Sequence, residues 1–124
     1  MNMKRITYLT AFLLVGTFAR ESMADGLYSN GHDLMVEAIR TGHASGVMAG
    51  DIAKRFSEQF KSNGPLLVEA KRIVAYKQAG CARVSVNYTK KEVPTPQGTT
   101  AVHLDTQINY CVDGSAPKSL EQAP

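Results

Sequence analysis

The chain has 124 residues, no tryptophan and a formal net charge of +3, from 14 lysines and arginines against 11 aspartates and glutamates. Three of the basic residues and one acidic residue fall in the first 24 positions, which leaves 11 basic and 10 acidic residues in the rest. This balance gives no support for a nucleic-acid or anionic-membrane partner. The remaining 100 residues suffice for one domain with a modest hydrophobic core.

The first 24 residues have the three-part layout of a secretory signal peptide. Lys4 and Arg5 form a basic head, residues 6–19 carry no charge, and residues 22–24 read Ser-Met-Ala, with small residues where signal peptidase reads the chain. An uncharged run of 14 residues is too short to cross a bilayer core, so no membrane anchor is expected after cleavage. The sequence predicts a mature chain that begins at Asp25 and is located in a bacterial periplasm.

Two helices are expected in the first half of the mature chain. Residues 33–40 place apolar side chains at helical spacing, with Asn30 available as the N-cap and Gly42 as the terminator. The second helix begins near Asp51, and its apolar residues recur every fourth position and predict a buried stripe: Ile52, Phe56 and Phe60.

Glycines at positions 42, 46 and 50 separate the two predicted helices. Glycines at intervals of four permit close contact between membrane helices. Three glycines within nine residues are more typical of a flexible connector, which is the interpretation favoured here.

Residues 66–78 fit either a helix or a strand. Several apolar residues fall on one helical face, whereas the flanking Pro65 and Gly80 and the β-branched residues favour a strand. The strand is preferred because a sheet of two strands alone is seldom stable.

Two stretches with alternating apolar and polar residues, 83–89 and 102–110, predict an antiparallel hairpin. Residues 94–98 between them read Pro-Thr-Pro-Gln-Gly, and these proline and glycine residues are typical of a turn. If the chain folds about Pro96, residues whose numbers add to 192 face each other, so that Val84 meets Ile108.

Cys81 and Cys111 are the only cysteines. An even number of cysteines in an oxidising compartment indicates a disulfide, and the hairpin register places these two opposite each other. Catalytic or metal-binding thiols are the alternative, which the lack of a CxxC motif and of a flanking histidine disfavours. The sequence predicts one disulfide that clamps the open end of the hairpin.

The expected architecture is an α+β fold, with two N-terminal helices packed on a small antiparallel sheet of two or three strands. One domain spans residues 25–117, and residues 118–124 form a flexible tail with proline and small residues.

No catalytic, metal or cofactor site is predicted. The three histidines, His32, His43 and His103, are too widely spaced for a local metal motif. The residue types of a hydrolase triad are present as Ser85, His103 and Asp105. The sequence has no GxSxG motif, however, which would support a nucleophilic serine.

The polar face of the predicted hairpin is the candidate surface for a protein partner, either another protein or a second copy of the chain. The alternative is that these residues are only the solvated side of the sheet. The candidate contact residues are Arg83, Asn87, His103, Asp105 and Gln107, with Ser85 and Asn109 on the same face.

Two short motifs carry a resemblance to a known family. The sequence GCARV at 80–84 and the sequence INYCVDG at 108–114 resemble those of small exported proteins from bacterial conjugation clusters, the KikA-like proteins associated with type IV secretion. The small-residue run 44–50 and the apolar stripe of the second helix also fit, so the resemblance covers most of residues 32–117. It implies a non-enzymatic periplasmic accessory protein with a structural cysteine pair and no cofactor.

A second hypothesis is an exported inhibitor or immunity protein against a cell-wall hydrolase or toxin, because small disulfide-linked α+β domains suit that function too. An inhibitor is expected to present a protruding loop that plugs a cleft, and residues 93–98 are the candidate. A component of a secretion assembly is expected to present an apolar patch or to form a homodimer.

Overall fold

The computed structural model describes residues 26–124. The predicted signal peptide, residues 1–24, and the mature terminus at Asp25 lie outside the described residues. In chain order the elements are β1 (Gly26–Tyr28), α1 (Gly31–Thr41), β2 (His43–Met48), α2 (Gly50–Phe60), β3 (Leu66–Ala75), β4 (Cys81–Thr95) and β5 (Gly98–Cys111).

The five strands form one mixed sheet in the order β1-β2-β3-β4-β5. β1 pairs with β2 in parallel, and all the other neighbours are antiparallel. The expected antiparallel sheet of two or three strands under two N-terminal helices is therefore wrong. A strand precedes each helix, and the sheet predominates over the helices in the described residues.

The segment expected to be a flexible connector is strand β2. Its side chains alternate, with Ala44, Gly46 and Met48 buried and the residues between them more exposed. Because two of the inward residues, Ala44 and Gly46, are small, the sequence does not show a clear alternation of apolar and polar residues. For this reason the glycines suggested a linker. A Cβ at Gly46 would lie 2.1 Å from the carbonyl oxygen of Gly26, so the glycine is required for β1 to approach β2.

Both helices form near their predicted positions. Asn30 caps α1 by accepting a hydrogen bond from the Asp33 amide at 2.9 Å, and Gly42 ends the helix in the left-handed region at φ 95°. The α2 stripe is less buried than predicted, because no α2 residue is fully buried and this helix packs mainly over β4. Phe56 still contacts the Tyr88 ring at a centroid distance of 5.4 Å.

The second half of the chain matches the sequence pattern closely. Residues 66–75 form a strand, and the β4–β5 register follows the predicted pairing from Cys81 opposite Cys111 to Lys90 opposite Val102. An irregularity after Lys90 shifts the register, and Glu92 takes a left-handed conformation with φ 56°. The hairpin then continues past Leu66, the first residue of β3, to an exposed tip at residues 96–98.

The predicted disulfide between Cys81 and Cys111 is confirmed, with the two Cα atoms 4.0 Å apart. Residues 121–123 lie beside the end of β3, where Ala123 donates an amide hydrogen bond to the Ala75 carbonyl at 2.9 Å. Lys77 Nζ and Glu121 Oε1 form an ion pair at 3.0 Å. The segment expected to be a flexible tail thus makes backbone and side-chain contacts with the domain.

One face of the sheet carries the hydrophobic core. Apolar side chains of both helices and of β1 to β5 form a single cluster on this face, with Leu34, Ala38, Val84 and Val86 almost fully buried at its centre. Among the described residues, neither helix covers the opposite face, which we call the open sheet face. Its side chains are His43, Ser45 and Val47 of β2, Leu67, Glu69 and Lys71 of β3, Arg83, Ser85, Asn87 and Thr89 of β4, and His103, Asp105, Gln107 and Asn109 of β5.

Candidate functional site

The predicted polar surface of the hairpin lies together on the open sheet face. Asn87 is directly opposite Asp105 in the β4–β5 ladder, and Thr89 is opposite His103. Alternation along the strands places these side chains on one side, while their apolar neighbours Val86 and Tyr88 face the helices. The pairing therefore brings residues that are 18 and 14 positions apart in sequence into one polar patch.

A shallow groove of about 550 Å³ crosses this face. Three of the five predicted contact residues line it, namely Asn87, His103 and Asp105, whereas Arg83 and Gln107 lie outside it, nearer the disulfide. The groove also has lining residues that the sequence interpretation missed, from the two strands on its other side: His43, Ser45, Gly46, Leu67, Val68 and Glu69.

Glu69 interacts with two nitrogen groups in the groove wall formed by β2 and β3. Its carboxylate lies 3.3 Å from His43 Nε2 and 3.3 Å from Lys71 Nζ. The hydrogen bond with His43 is the main cause of a lowered Glu69 pKa; Lys71 adds to the lowering and partial burial opposes it. The wall thus keeps a carboxylate ionised between two nitrogen groups.

The opposite wall of the groove, from β4 and β5, is formed by polar side chains, of which His103 and Thr89 contact each other. His103 Nδ1 lies 3.0 Å from the Thr89 hydroxyl, which fixes the orientation of the imidazole. Asp105 has no ion pair among residues 26–124 and is exposed. The Asp105 carboxylate is therefore available for a cationic or hydrogen-bonding group of a partner.

Arg83 has a different environment from the groove residues. Its Nε donates to Asn109 Oδ1 at 3.0 Å, and the Tyr76 hydroxyl donates to the same oxygen at 2.6 Å. This three-residue cluster links the end of β3 to the hairpin beside the disulfide. A substitution of Arg83 would therefore disturb the local structure as well as the surface.

The residues considered for a hydrolase triad are not assembled. Ser85 contacts Asn87 at 3.4 Å, while His103 contacts Thr89. In the β4–β5 ladder Ser85 is opposite Gln107, whereas His103 is opposite Thr89, four residues further along β4. Within residues 26–124, no group of three or more histidine, cysteine, aspartate and glutamate side chains is arranged to hold a metal ion.

The tip of the β4–β5 hairpin is the other distinctive surface. Val93 is buried, but Pro94 and residues 96–100 are exposed beyond the start of β3. The Thr95 hydroxyl donates to the Gly98 carbonyl at 2.6 Å, which closes the turn. The loop considered for an inhibitor thus has a buried base at Val93 and an ordered, exposed tip.

No family model, curated protein or solved structure matches the chain. None of the helices in the described part of the chain is long and apolar enough to cross a membrane.

Proposed function

We propose that the chain is a non-enzymatic periplasmic accessory protein of a bacterial conjugative type IV secretion system, and that it binds a protein partner through the open sheet face. The observation that carries the binding role is the groove on this face, with the ionised Glu69 on one wall and the exposed Asp105 on the other. Charged and polar groups around a concave surface provide specificity and orientation for a partner.

Two observations support the location and the system. An intact disulfide persists in oxidising compartments such as the periplasm, in agreement with the basic and apolar segments of residues 1–24. The two motifs that resemble the KikA-like proteins surround the disulfide, because GCARV contains Cys81 and INYCVDG contains Cys111. The resemblance thus falls on the open end of the hairpin, which the disulfide joins.

The test uses cells that carry a transfer gene cluster and the exported, full-length chain. The double variant Glu69→Ala and Asn87→Ala removes one groove residue from each of the two central strands, β3 and β4. The matched control is the double variant Glu58→Ala and Gln59→Ala, which changes two exposed residues of α2 on the other side of the sheet. We expect the groove variant to lower DNA transfer frequency and to lose a site-specific cross-link to a transfer protein, with unchanged periplasmic abundance. Normal transfer and cross-linking by the groove variant would contradict the proposal.

A second candidate function is inhibition of a cell-wall hydrolase or toxin, which the exposed, ordered hairpin tip favours. Inhibitors of this kind insert a rigid loop into an enzyme cleft. If the tip acts in this way, Pro96→Ala with Gln97→Ala should abolish inhibition of a hydrolase while the groove variant retains it. The opposite result, loss through the groove variant alone, would exclude the tip.

A further inference from the structure

The two edges of the sheet differ greatly in length. One edge is β1, with three residues, and the other is β5, with 14 residues, which pairs only with β4 among the described strands. Long edges are usually protected by lysine, proline or a bulge, because their unpaired backbone groups accept another strand. Residues 102–109 of β5 contain neither lysine nor proline and keep an unbroken register with β4. This edge is therefore open to further pairing.

Backbone hydrogen bonds at the end of β5 show which groups face outward. The Cys111 amide donates to the Ser115 carbonyl at 2.9 Å, whereas the Val112 amide donates to the Gly80 carbonyl, on the β4 side, at 2.8 Å. Backbone groups alternate between the two sides of an antiparallel strand. The odd-numbered residues from 103 to 109 thus direct their N–H and C=O groups away from β4.

We propose that two copies of the chain form a symmetric dimer by antiparallel pairing of their β5 strands about a two-fold axis at Leu104. In this register His103 of each copy faces Asp105 of the other, and both residues supply outward backbone groups. An axis at His103 or at Asp105 would instead oppose two imidazoles or two carboxylates. Two carboxylates directly opposite each other destabilise a strand pair, whereas an imidazole opposite a carboxylate can donate a hydrogen bond to it, so the axis at Leu104 is favoured over the axes at His103 and Asp105.

Two side-chain features agree with this register. Leu104 is 48 % exposed. On the axis it would contact Leu104 of the second copy, because opposed residues that do not share backbone hydrogen bonds have the shorter Cα separation in an antiparallel pair. His103 Nδ1 is already engaged by the Thr89 hydroxyl at 3.0 Å. When that hydroxyl donates to Nδ1, the imidazole hydrogen is on Nε2, from which it can be donated to Asp105 of the second copy.

The dimer would join two five-stranded sheets into one. Directly opposed residues of an antiparallel pair lie on the same side of a sheet, so the open sheet faces of both copies would lie side by side. The pairing uses the backbone of β5 and the side chains of His103 and Asp105, which also line the groove. It does not depend on the proposed function, because the dimer would form whether or not the groove binds another protein. The tests are also separate, since Glu69 and Asn87 lie on strands away from this edge.

The first test measures the dimer dissociation constant of the disulfide-intact mature chain by sedimentation. His103→Asp opposes two carboxylates across the interface and should raise the dissociation constant about tenfold or more. The double variant His103→Asp with Asp105→His exchanges the two partners and should restore the wild-type value. A monomeric wild type, or a double variant that dimerises no better than His103→Asp alone, would overturn the proposal.

The second test uses cross-linking, which does not depend on the effect of charge variants. Leu104→Cys places two thiols opposite each other on the axis, at a separation that a disulfide can bridge. Gln107→Cys is the control, because Gln107 is also an exposed residue of β5 but faces Ala101 of the second copy, roughly 20 Å from Gln107 of that copy. We expect a covalent dimer from Leu104→Cys and little from Gln107→Cys. Equal yields from the two variants would contradict the two-fold axis at Leu104.

Discussion

Lys90 Nζ donates a hydrogen bond to the Ser57 hydroxyl at 2.9 Å, although Lys90 is only 1 % exposed. A second hydrogen bond goes to the Gly64 carbonyl, and none of the ion pairs among residues 26–124 includes Lys90. The buried ammonium group therefore connects β4 to α2 and to the loop after it through neutral oxygens. Lys90, the last residue before the irregularity in the β4–β5 register, thus attaches α2, the less buried helix, to the sheet.

Lys90→Ala should lower the free energy of unfolding by about 2–4 kcal/mol, because it leaves a cavity and an unpaired Gly64 carbonyl. Lys90→Met keeps the packing of the aliphatic stem and should cost less, about 1–2 kcal/mol. Lys91→Ala, an exposed neighbour, is the control and should stay within about 0.5 kcal/mol of wild type. Urea denaturation measures all three. A Lys90→Ala variant as stable as the control would show that the buried contacts contribute nothing.

The disulfide encloses a segment with a sequence separation of 30 residues. Loss of the disulfide in Cys81→Ser with Cys111→Ser should lower the free energy of unfolding by about 3.5 kcal/mol, because the unfolded chain regains the entropy of that loop. The melting temperature should fall by roughly 15–25 °C for a domain of this size. Calorimetry of wild type with and without reductant provides the comparison, and a reduced protein that melts with the oxidised one would refute the estimate.

Gly46→Ala should separate β1 from the sheet. The added methyl group would lie 2.1 Å from the Gly26 carbonyl oxygen, a backbone atom that can move only if the strand moves. We expect a loss of about 1–3 kcal/mol and faster hydrogen exchange at the Ala49 amide, which donates to the Tyr28 carbonyl. Gly31→Ala is the control, since its added methyl group meets no atom within 4 Å and favours the first turn of α1. Unchanged exchange in Gly46→Ala would contradict the close approach.

The lowered pKa of Glu69 predicts a small dependence of stability on pH. Because His43 and Lys71 favour the ionised carboxylate in the folded state, this contribution is present above the ordinary pKa of 4.5 and is lost as the pH falls through the lower folded value. The pair is partly exposed, so its contribution is below about 1 kcal/mol. Glu69→Gln should flatten the acid limb of a stability profile measured between neutral pH and acid. Glu58→Gln, on exposed α2, should leave it unchanged, and equal slopes for wild type and Glu69→Gln would exclude the contribution.

The hairpin could be predicted because three local signals coincide there. Alternating residues at 83–89 and 102–110, turn residues at 94–98 and the position of the cysteines all give one register, and the structure has that register. The later irregularity could not be predicted, because it lies where Lys90 and Lys91 contact Gly64 and Pro65 of the loop after α2, which is distant in sequence.

The first half of the sheet was harder to predict for physical reasons. β1 has three residues and pairs in parallel with β2, so its partner lies beyond a helix and leaves no local pattern. β2 fills its inward positions with Ala44, Gly46 and Met48, which resemble a linker more than a strand. Because β2 was not predicted as a strand, the groove wall formed by β2 and β3 was not predicted either. The pairing of β2 with β3 places His43 beside Glu69. The alternation of exposed and inward residues over 43–48 was the signal that could have shown it.

The order of the strands in the sheet is also their order in the chain. Every strand after β1 therefore pairs with the strand that precedes it in the chain, and contacts between elements near each other in sequence speed folding. The sheet can grow from β1 to β5 in the direction in which a chain leaves a ribosome or a translocation channel. Cys111 arrives with the last strand, so oxidation would covalently lock a sheet that is already in register rather than guide its assembly.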